Sequence, residues 1–239
     1  MGQLMAIGVA FAMATGAMAE TGSNAKAAVT EGLGGVQLWE NGPYWAECNV
    51  GASKPEEYGC RFWWGDTVGY TNTASGWISV KDGTGFAFTS SGPAASTYEK
   101  GSAELRSAGY IDSSGCLAAA HDAAAVHLGS PWRMPTDAEI FALISNCTTT
   151  WITTNGISGR LVTGKGVYAN RSIFLPAAGF CRGSSLCYAG SDGYYWSSTP
   201  NPAFPHHAWS LYFASGYFDR DGGNRYYGRS VRPVRGFAE

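Results

Sequence analysis

The stretch Trp209-Ser210-Leu211-Tyr212-Phe213-Ala214 alternates large apolar side chains with small or polar ones at every second position. A period of two marks a β-strand with one face on a core and one outward, because successive side chains of an extended chain point to opposite sides. Trp209, Leu211 and Phe213 are expected to face inward, and Ser210, Tyr212 and Ala214 outward. Ser172-Ile173-Phe174-Leu175 is a second strand candidate, and Gly, Ser, Asn and Asp punctuate the chain between such segments.

Only two stretches carry helical signals. Leu117 to Leu128 is alanine-rich and free of Gly and Pro, with Gly129 placed to stop it. Asp137 to Asn146 follows Thr136, and Glu139 stands three positions after that threonine. This is a capping box, in which each side chain accepts from the other residue's backbone N–H. Ile140, Leu143 and Ile144 then line one helical face. Two helices, short antiparallel strands and many irregular loops make an α+β class.

Composition narrows the function classes. The 239 residues carry a net charge of −2, with 14% charged residues and 33 glycines. Ordinary usage is about 25% charged and about 7% glycine, so the chain is charge-poor and glycine-rich. The absence of a basic surplus argues against nucleic acid as a partner. A hydrophobic share of 45% and an aromatic share of 14% exclude a disordered chain.

Leu4 to Ala14 is an apolar run, and Ala17 and Ala19 supply the small residues a signal peptidase requires. The run is shorter than the about 20 residues of a membrane-spanning helix. Residues 1–19 are expected to be a signal peptide cleaved after Ala19, and 20–35 a polar lead-in. A single domain is expected over 36–239, exported to the periplasm or cell surface, with no membrane-spanning segment in the mature chain. Six cysteines in an exported chain favour disulfides, with Cys48/Cys60 and Cys181/Cys187 as local closures and Cys116 and Cys147 left over; free buried thiols are the alternative.

Catalytic signals are missing. Asp122, Asp137 and Glu139 fit helix or cap roles, and His121 and His127 are six apart, not the i, i+4 of a helical metal site. His206 and His207 are adjacent and lack ligand spacing. No nucleophile elbow, phosphate loop or dinucleotide fingerprint occurs, so no enzyme, metal or cofactor is expected.

Several segments together carry a resemblance. Trp45-Ala-Glu-Cys-Asn-Val-Gly-Ala-Ser-Lys-Pro-Glu-Glu-Tyr-Gly59 and Phe62-Trp-Trp-Gly-Asp66 are followed by Ala120-His-Asp-Ala-Ala124 and Trp132-Arg-Met-Pro-Thr136. Ile173-Phe-Leu-Pro-Ala-Ala-Gly179, Tyr195-Trp-Ser-Ser198 and Ser230-Val-Arg-Pro-Val-Arg235 complete the set. In this order they resemble the major paralogous domain of Fibrobacter and Bacteroidetes surface proteins. That resemblance implies a C-type lectin-like fold of the formylglycine-generating-enzyme type, used as an exported ligand-binding module. Cys60 departs from the acidic residue the family pattern has after Tyr58-Gly59, and a disulfide at that cysteine is one reading of the departure.

The region from about 194 to 235 further resembles the variable region of proteins diversified by retroelements, whose templates carry Asn codons mutated at adenines. The resemblance implies a framework of Ala208, Trp209, Leu211, Phe213, Ser215, Gly216, Arg225, Gly228, Ser230 and Val231. It implies variable, ligand-facing residues at His206, His207, Ser210, Tyr212, Ala214, Tyr217, Asp219, Asp221, Gly222, Gly223, Asn224, Tyr226, Tyr227 and Arg229. All fourteen are encodable by a codon of the form NNY, and Lys, Glu, Gln, Met and Trp are absent from the set.

Tyr212, Tyr217, Tyr226 and Tyr227 are the expected anchors for a protein or glycan ligand, because Tyr buries area at low entropy cost. Trp196, Trp209, Phe213, Val231 and Val234 are the expected support, and Arg232 and Arg235 are assigned structural hydrogen bonds. The alternatives are a structural or adhesive subunit with a fixed face, and a formylglycine-generating type of enzyme working through Cys181 and Cys187.

Overall fold

The computed structural model describes residues 34–236. The expected signal peptide, 1–19, and nearly all of the lead-in lie outside the described residues. Within them the chain forms five small antiparallel sheets and three short α-helices, an α+β architecture. β1 (Gly35–Gln37) and β13 (Val234–Arg235) flank β2 (Tyr44–Ala46), where Trp45 pairs with both Val36 and Val234. β3 (Tyr70–Thr73) and β4 (Gly76–Ser79) form a hairpin. β5 (Cys147–Thr154), β6 (Ile157–Gly164) and β7 (Ser172–Pro176) form a meander, and β8 (Phe180–Arg182) with β9 (Ser185–Cys187) a second hairpin. β10 (Gly193–Pro200), β11 (His207–Ala214) and β12 (Tyr217–Asn224) form the meander that contains the alternating stretch.

The helices depart from expectation in number and extent. α1 (Ser102–Ser107) has no counterpart in the sequence reading; it is a six-residue helix that buries Leu105 and is started by Glu104 accepting from the Gly101 N–H at 2.8 Å. The expected helix over 117–128 is only α2 (Ala123–Leu128). Ahead of it, Leu117 N–H donates to Ser198 and Ala118 N–H to Tyr110, and these tertiary bonds override the alanine propensity. Asp122 then caps α2, accepting from Ala125 N–H at 2.9 Å while its second oxygen takes Met134 N–H at 2.8 Å. α3 (Asp137–Asn146) has the expected bounds and capping box, with Thr136 Oγ1 accepting from Glu139 N–H and Glu139 Oε2 from Thr136 N–H.

The core joins α3 to three sheets. Ile140 and Leu143 pack with Val162, Ile173 and Leu175, with Tyr195, Leu211 and Phe213, and with Trp45 and Val234. A second cluster sets Trp64, Leu105 and Met134 against Trp196, Ala208 and Val231. Of the expected supports, Trp196, Phe213, Val231 and Val234 are buried, whereas Trp209 is half-buried with Arg220 stacked over its ring.

Loops cover much of this core, and buried arginines tie them down. Arg232 donates to Asn49 Oδ1 and to the carbonyls of Ala46, Glu47 and Phe174 at 2.7–3.0 Å. Arg225 donates to the carbonyls of His207, Thr97 and Lys100 at 2.8–2.9 Å. Arg61 reaches Tyr58, Gly59 and Ala178 carbonyls and Ser230 Oγ. Among the described residues none of these three guanidiniums is in an ion pair, and burial lowers their pKa values, that of Arg225 to about 10. A planar fork of five donors suits this work, since one side chain satisfies several loop carbonyls at once. Arg235 differs from expectation: it stacks on Trp132 and Tyr44, with ring-centroid distances of 5.0 and 5.7 Å.

The disulfide expectation is corrected as well, because all six cysteines are free. In the β8–β9 hairpin Cys181 pairs with Leu186 and Phe180 with Cys187, so the two cysteines project from opposite sides. No helix among the described residues is long and apolar enough to cross a membrane.

Candidate functional site

The two-residue turn at Ser215-Gly216 sets the β11–β12 register, in which Ala214 pairs with Tyr217, Tyr212 with Asp219 and Ser210 with Asp221. On the other side of β11, Tyr212 pairs with Tyr194 and Ser210 with Trp196. Directly paired residues share a face, so Tyr194, Tyr212 and Asp219 form one row across the sheet and Trp196, Ser210 and Asp221 the next. The opposite face holds Tyr195, Leu211 and Arg220, then Phe213 and Phe218, and rests on α3. There Arg220 bridges to Asp137 at 2.7 Å and lies over Phe141.

Rings run continuously over the first of these faces. Tyr217 leans on Tyr212 at 5.1 Å between centroids, Tyr212 stacks on Tyr194 at 4.8 Å, and Tyr194 meets Phe180 edge-on at 5.0 Å. Phe180 packs on Tyr227 at 4.9 Å, Tyr227 on Tyr226 at 4.8 Å, and Tyr226 on Tyr98 at 5.2 Å. From Tyr98 the contacts continue to His206, His207 and Phe204. Tyr217 is 45% exposed, and Tyr188, beside Phe180, is 61% exposed. The other tyrosines are half-buried, supported by neighbours yet open on one side. Burial raises the pKa values of the Tyr194 and Tyr212 phenols, reinforced by neighbouring groups that include Asp192, so both stay neutral hydrogen-bonding groups at physiological pH. Tyr212 donates its hydroxyl to Asp192 Oδ1 at 3.1 Å.

The fourteen expected ligand residues divide into three groups. Tyr212, Ala214, Tyr217, Asp219 and Asp221 share the ring-bearing face, and Tyr226, Tyr227 and His206 continue it through the loops. His207, Gly222 and Asn224 have the register of the opposite face, where His207 pairs with Asn224 and Trp209 with Gly222. Burial, followed by repulsion from His206 and Arg229, lowers the His207 pKa.

Ser210, Gly223 and Arg229 are buried rather than outward. Arg229 stacks between Trp196, at 4.3 Å, and Tyr194, at 5.0 Å, and donates through Nη1 to Ser210 Oγ. Ser210 in turn donates to the Asp221 carbonyl at 2.9 Å. A Cβ on Gly223 would overlap the Arg229 guanidinium. Strand alternation does put Ser210 on the same side as Tyr212, but Arg229 from the last loop roofs it. Period-two reasoning cannot foresee a cover supplied by another segment.

Tyr98, Phe180, Tyr188, Tyr194 and Phe204 belong to the ring belt and were not among the expected ligand residues. Tyr98 lies almost a hundred residues before the variable-like region that starts at about 194, and nothing local marks it. Tyr194 was legible, since it stands at the start of an alternating segment with Trp196.

Residues 165–237 match a family described as a domain of unknown function, DUF8237. The matched stretch holds β7 to β13 and therefore every ring of the belt except Tyr98. No curated protein and no solved structure matches the chain.

Proposed function

We propose that this is an exported, non-catalytic ligand-binding protein with a C-type lectin-like fold, whose C-terminal face is diversified by a retroelement. The observation that carries the reading is the ring belt from Tyr217 to Tyr226, half-exposed on a sheet anchored to the core by Leu211 and Phe213. Aromatic side chains held over a rigid support bury ligand surface without a further ordering cost. The small antiparallel sheets, few helices and arginine-tied loops suit the lectin-like expectation.

The test is a binding screen with a random peptide library and a glycan array, run with the wild type and with a Tyr217→Ala/Tyr226→Ala/Tyr227→Ala variant. Probes captured by the wild type should be lost by the variant while its unfolding transition stays cooperative. Binding that survives the triple change places the site elsewhere. Diversification has its own test: a near-copy of the last ~45 codons, differing at adenines, beside a reverse transcriptase gene. One observation favours the alternative of a fixed adhesive face. Ser210, Gly223 and Arg229 interlock and cannot vary independently, so any diversified set is expected to leave these three unchanged.

A further inference from the structure

Three carboxylates border the Tyr212–Tyr217 end of the face. Asp219 is paired with Tyr212 across the strands, Asp221 stands two residues further along β12, and Asp192 accepts the Tyr212 hydroxyl. Asp219 and Asp221 are exposed and Asp192 is half-buried. Much of their acceptor capacity is open: among the described residues Asp219 takes only the Arg220 N–H, Asp192 takes the Tyr212 and Ser191 hydroxyls, and the Asp221 carboxylate takes no hydrogen bond. Among the described residues the ion pairs are Arg133–Glu139 and Arg220–Asp137, so none of the three is neutralised by contact. The buried Arg229 guanidinium lies over Ser210, where it feels the charge of Asp221 without ion-pair contact. Arg160 is taken up by the Ala214, Ser215 and Tyr217 carbonyls, Arg220 is on the far face, and Arg182 lies beside Tyr226. A chain of net charge −2 thus exposes an acidic rim around aromatic rings that no ion pair among the described residues neutralises.

We propose that this end of the sheet receives an extended basic polypeptide segment, with Lys or Arg side chains seated among Asp192, Asp219 and Asp221 over Tyr212 and Tyr217. The proposal rests on the ring-bearing face being the ligand surface and adds the class of ligand. Cations are attracted both to carboxylates and to the faces of neutral phenol rings, and the two attractions coincide here. Spacing selects the source of the cation. Asp219 and Asp221 lie ~7 Å apart on one face of β12, the same interval that separates alternate side chains of an extended ligand chain. No three His, Cys, Asp or Glu among the described residues stand close enough to hold a metal ion, which removes a coordinated divalent cation as the occupant.

The experiment is calorimetric titration of hexa-arginine into the full chain at about 0.15 M salt, where long-range attraction is screened. Wild type is compared with Asp192→Asn/Asp219→Asn/Asp221→Asn and with a charge-matched control, Glu40→Gln/Glu47→Gln/Glu56→Gln. Thermal unfolding checks that both variants fold. Binding about tenfold or more weaker in the aspartate variant, with the control within about twofold of wild type, is the expected result. Equal weakening in both variants, or no binding of hexa-arginine by the wild type, overturns the proposal. Spermine binding as tightly as hexa-arginine overturns the choice of a polypeptide. A probe lost by the tyrosine variant but indifferent to the aspartate variant overturns the basic-ligand inference and leaves the aromatic face standing. Probes indifferent to the tyrosine variant overturn the reading of the face itself.

Discussion

The Arg229 guanidinium lies where a Cβ of residue 223 would stand, so Gly223 is a glycine for want of room above it rather than for backbone freedom. Arg229 cannot easily give way, because Trp196 and Tyr194 stack on it and Ser210 accepts its Nη1–H. Gly223→Ala should therefore destabilise by about 1–3 kcal/mol, the usual cost of overpacking. Ser210→Ala should cost about 1–3 kcal/mol for stranding a buried donor. Urea denaturation measures both. The double variant should cost less than the two singles added, since each loosens the seat of the same side chain.

Arg229 and Arg232 are both buried cations without a carboxylate in contact among the described residues, yet their replacement should differ. Burial lowers the Arg229 pKa to about 10, and Arg229 makes one side-chain hydrogen bond, with its Nε unsatisfied. Exchanging such a group for an apolar one of similar size is often neutral. Arg232 satisfies three carbonyls and Asn49, all of which Arg232→Met would strand. Arg229→Met should stay within about 1 kcal/mol of the wild type, and Arg232→Met should lose ~3 kcal/mol or more. Comparable losses for the two would mean that carbonyl satisfaction is not what Arg232 contributes.

The contrast between α2 and α3 shows what the chain makes legible. The α3 signals are local, with Thr136, Glu139, Ile140 and Leu143 within eight positions, and the structure has the expected bounds. The Leu117–Leu128 reading has a local stop at Gly129, where the helix does end, but its start rests on propensity alone, and hydrogen bonds to Tyr110 and Ser198 replace its first half. The same division runs through the site. Alternation located β11 and buried Leu211 and Phe213, but the lid of Arg229 over Ser210 depends on a loop that no periodicity describes. Tyr98 joins the belt from a segment whose Thr97 and Lys100 carbonyls Arg225 holds beside β11. Contacts of that range leave no local trace.

The free cysteines make a countable prediction. Cys116 and Cys187 are half-buried, while Cys48, Cys60, Cys147 and Cys181 are buried. Desolvation raises the pKa of the buried four, Cys147 to about 11 and Cys181 to about 12, which holds them as unreactive thiols. Ellman titration of the folded protein should count two fast thiols, Cys116 and Cys187, and denaturation without reductant should raise the count to the six of the sequence. A denatured count below six would demonstrate a disulfide.

Asp66 connects stability to pH. Its carboxylate accepts Val68 N–H at 2.9 Å and Gly69 N–H at 3.3 Å, but only 5% of the residue is exposed and no cation among the described residues is in contact with it. Desolvation outweighs the two hydrogen bonds and pushes its pKa up to about 6. The unfolded chain has the ordinary carboxylate value near 3.8. Between those values the folded state binds the extra proton, so stability is fully present below about pH 4 and is lost as pH rises through about 6. A shift of about two units corresponds to ~3 kcal/mol. Asp66→Asn removes the titration while keeping an oxygen for Val68 N–H, although its amide cannot accept from Gly69. The variant should therefore carry a constant cost at all pH values and lack the wild type's decline. Urea midpoints between pH 4 and pH 7 make the comparison: the wild type should lose stability relative to Asp66→Asn across that window, and parallel curves would assign Asp66 an ordinary pKa.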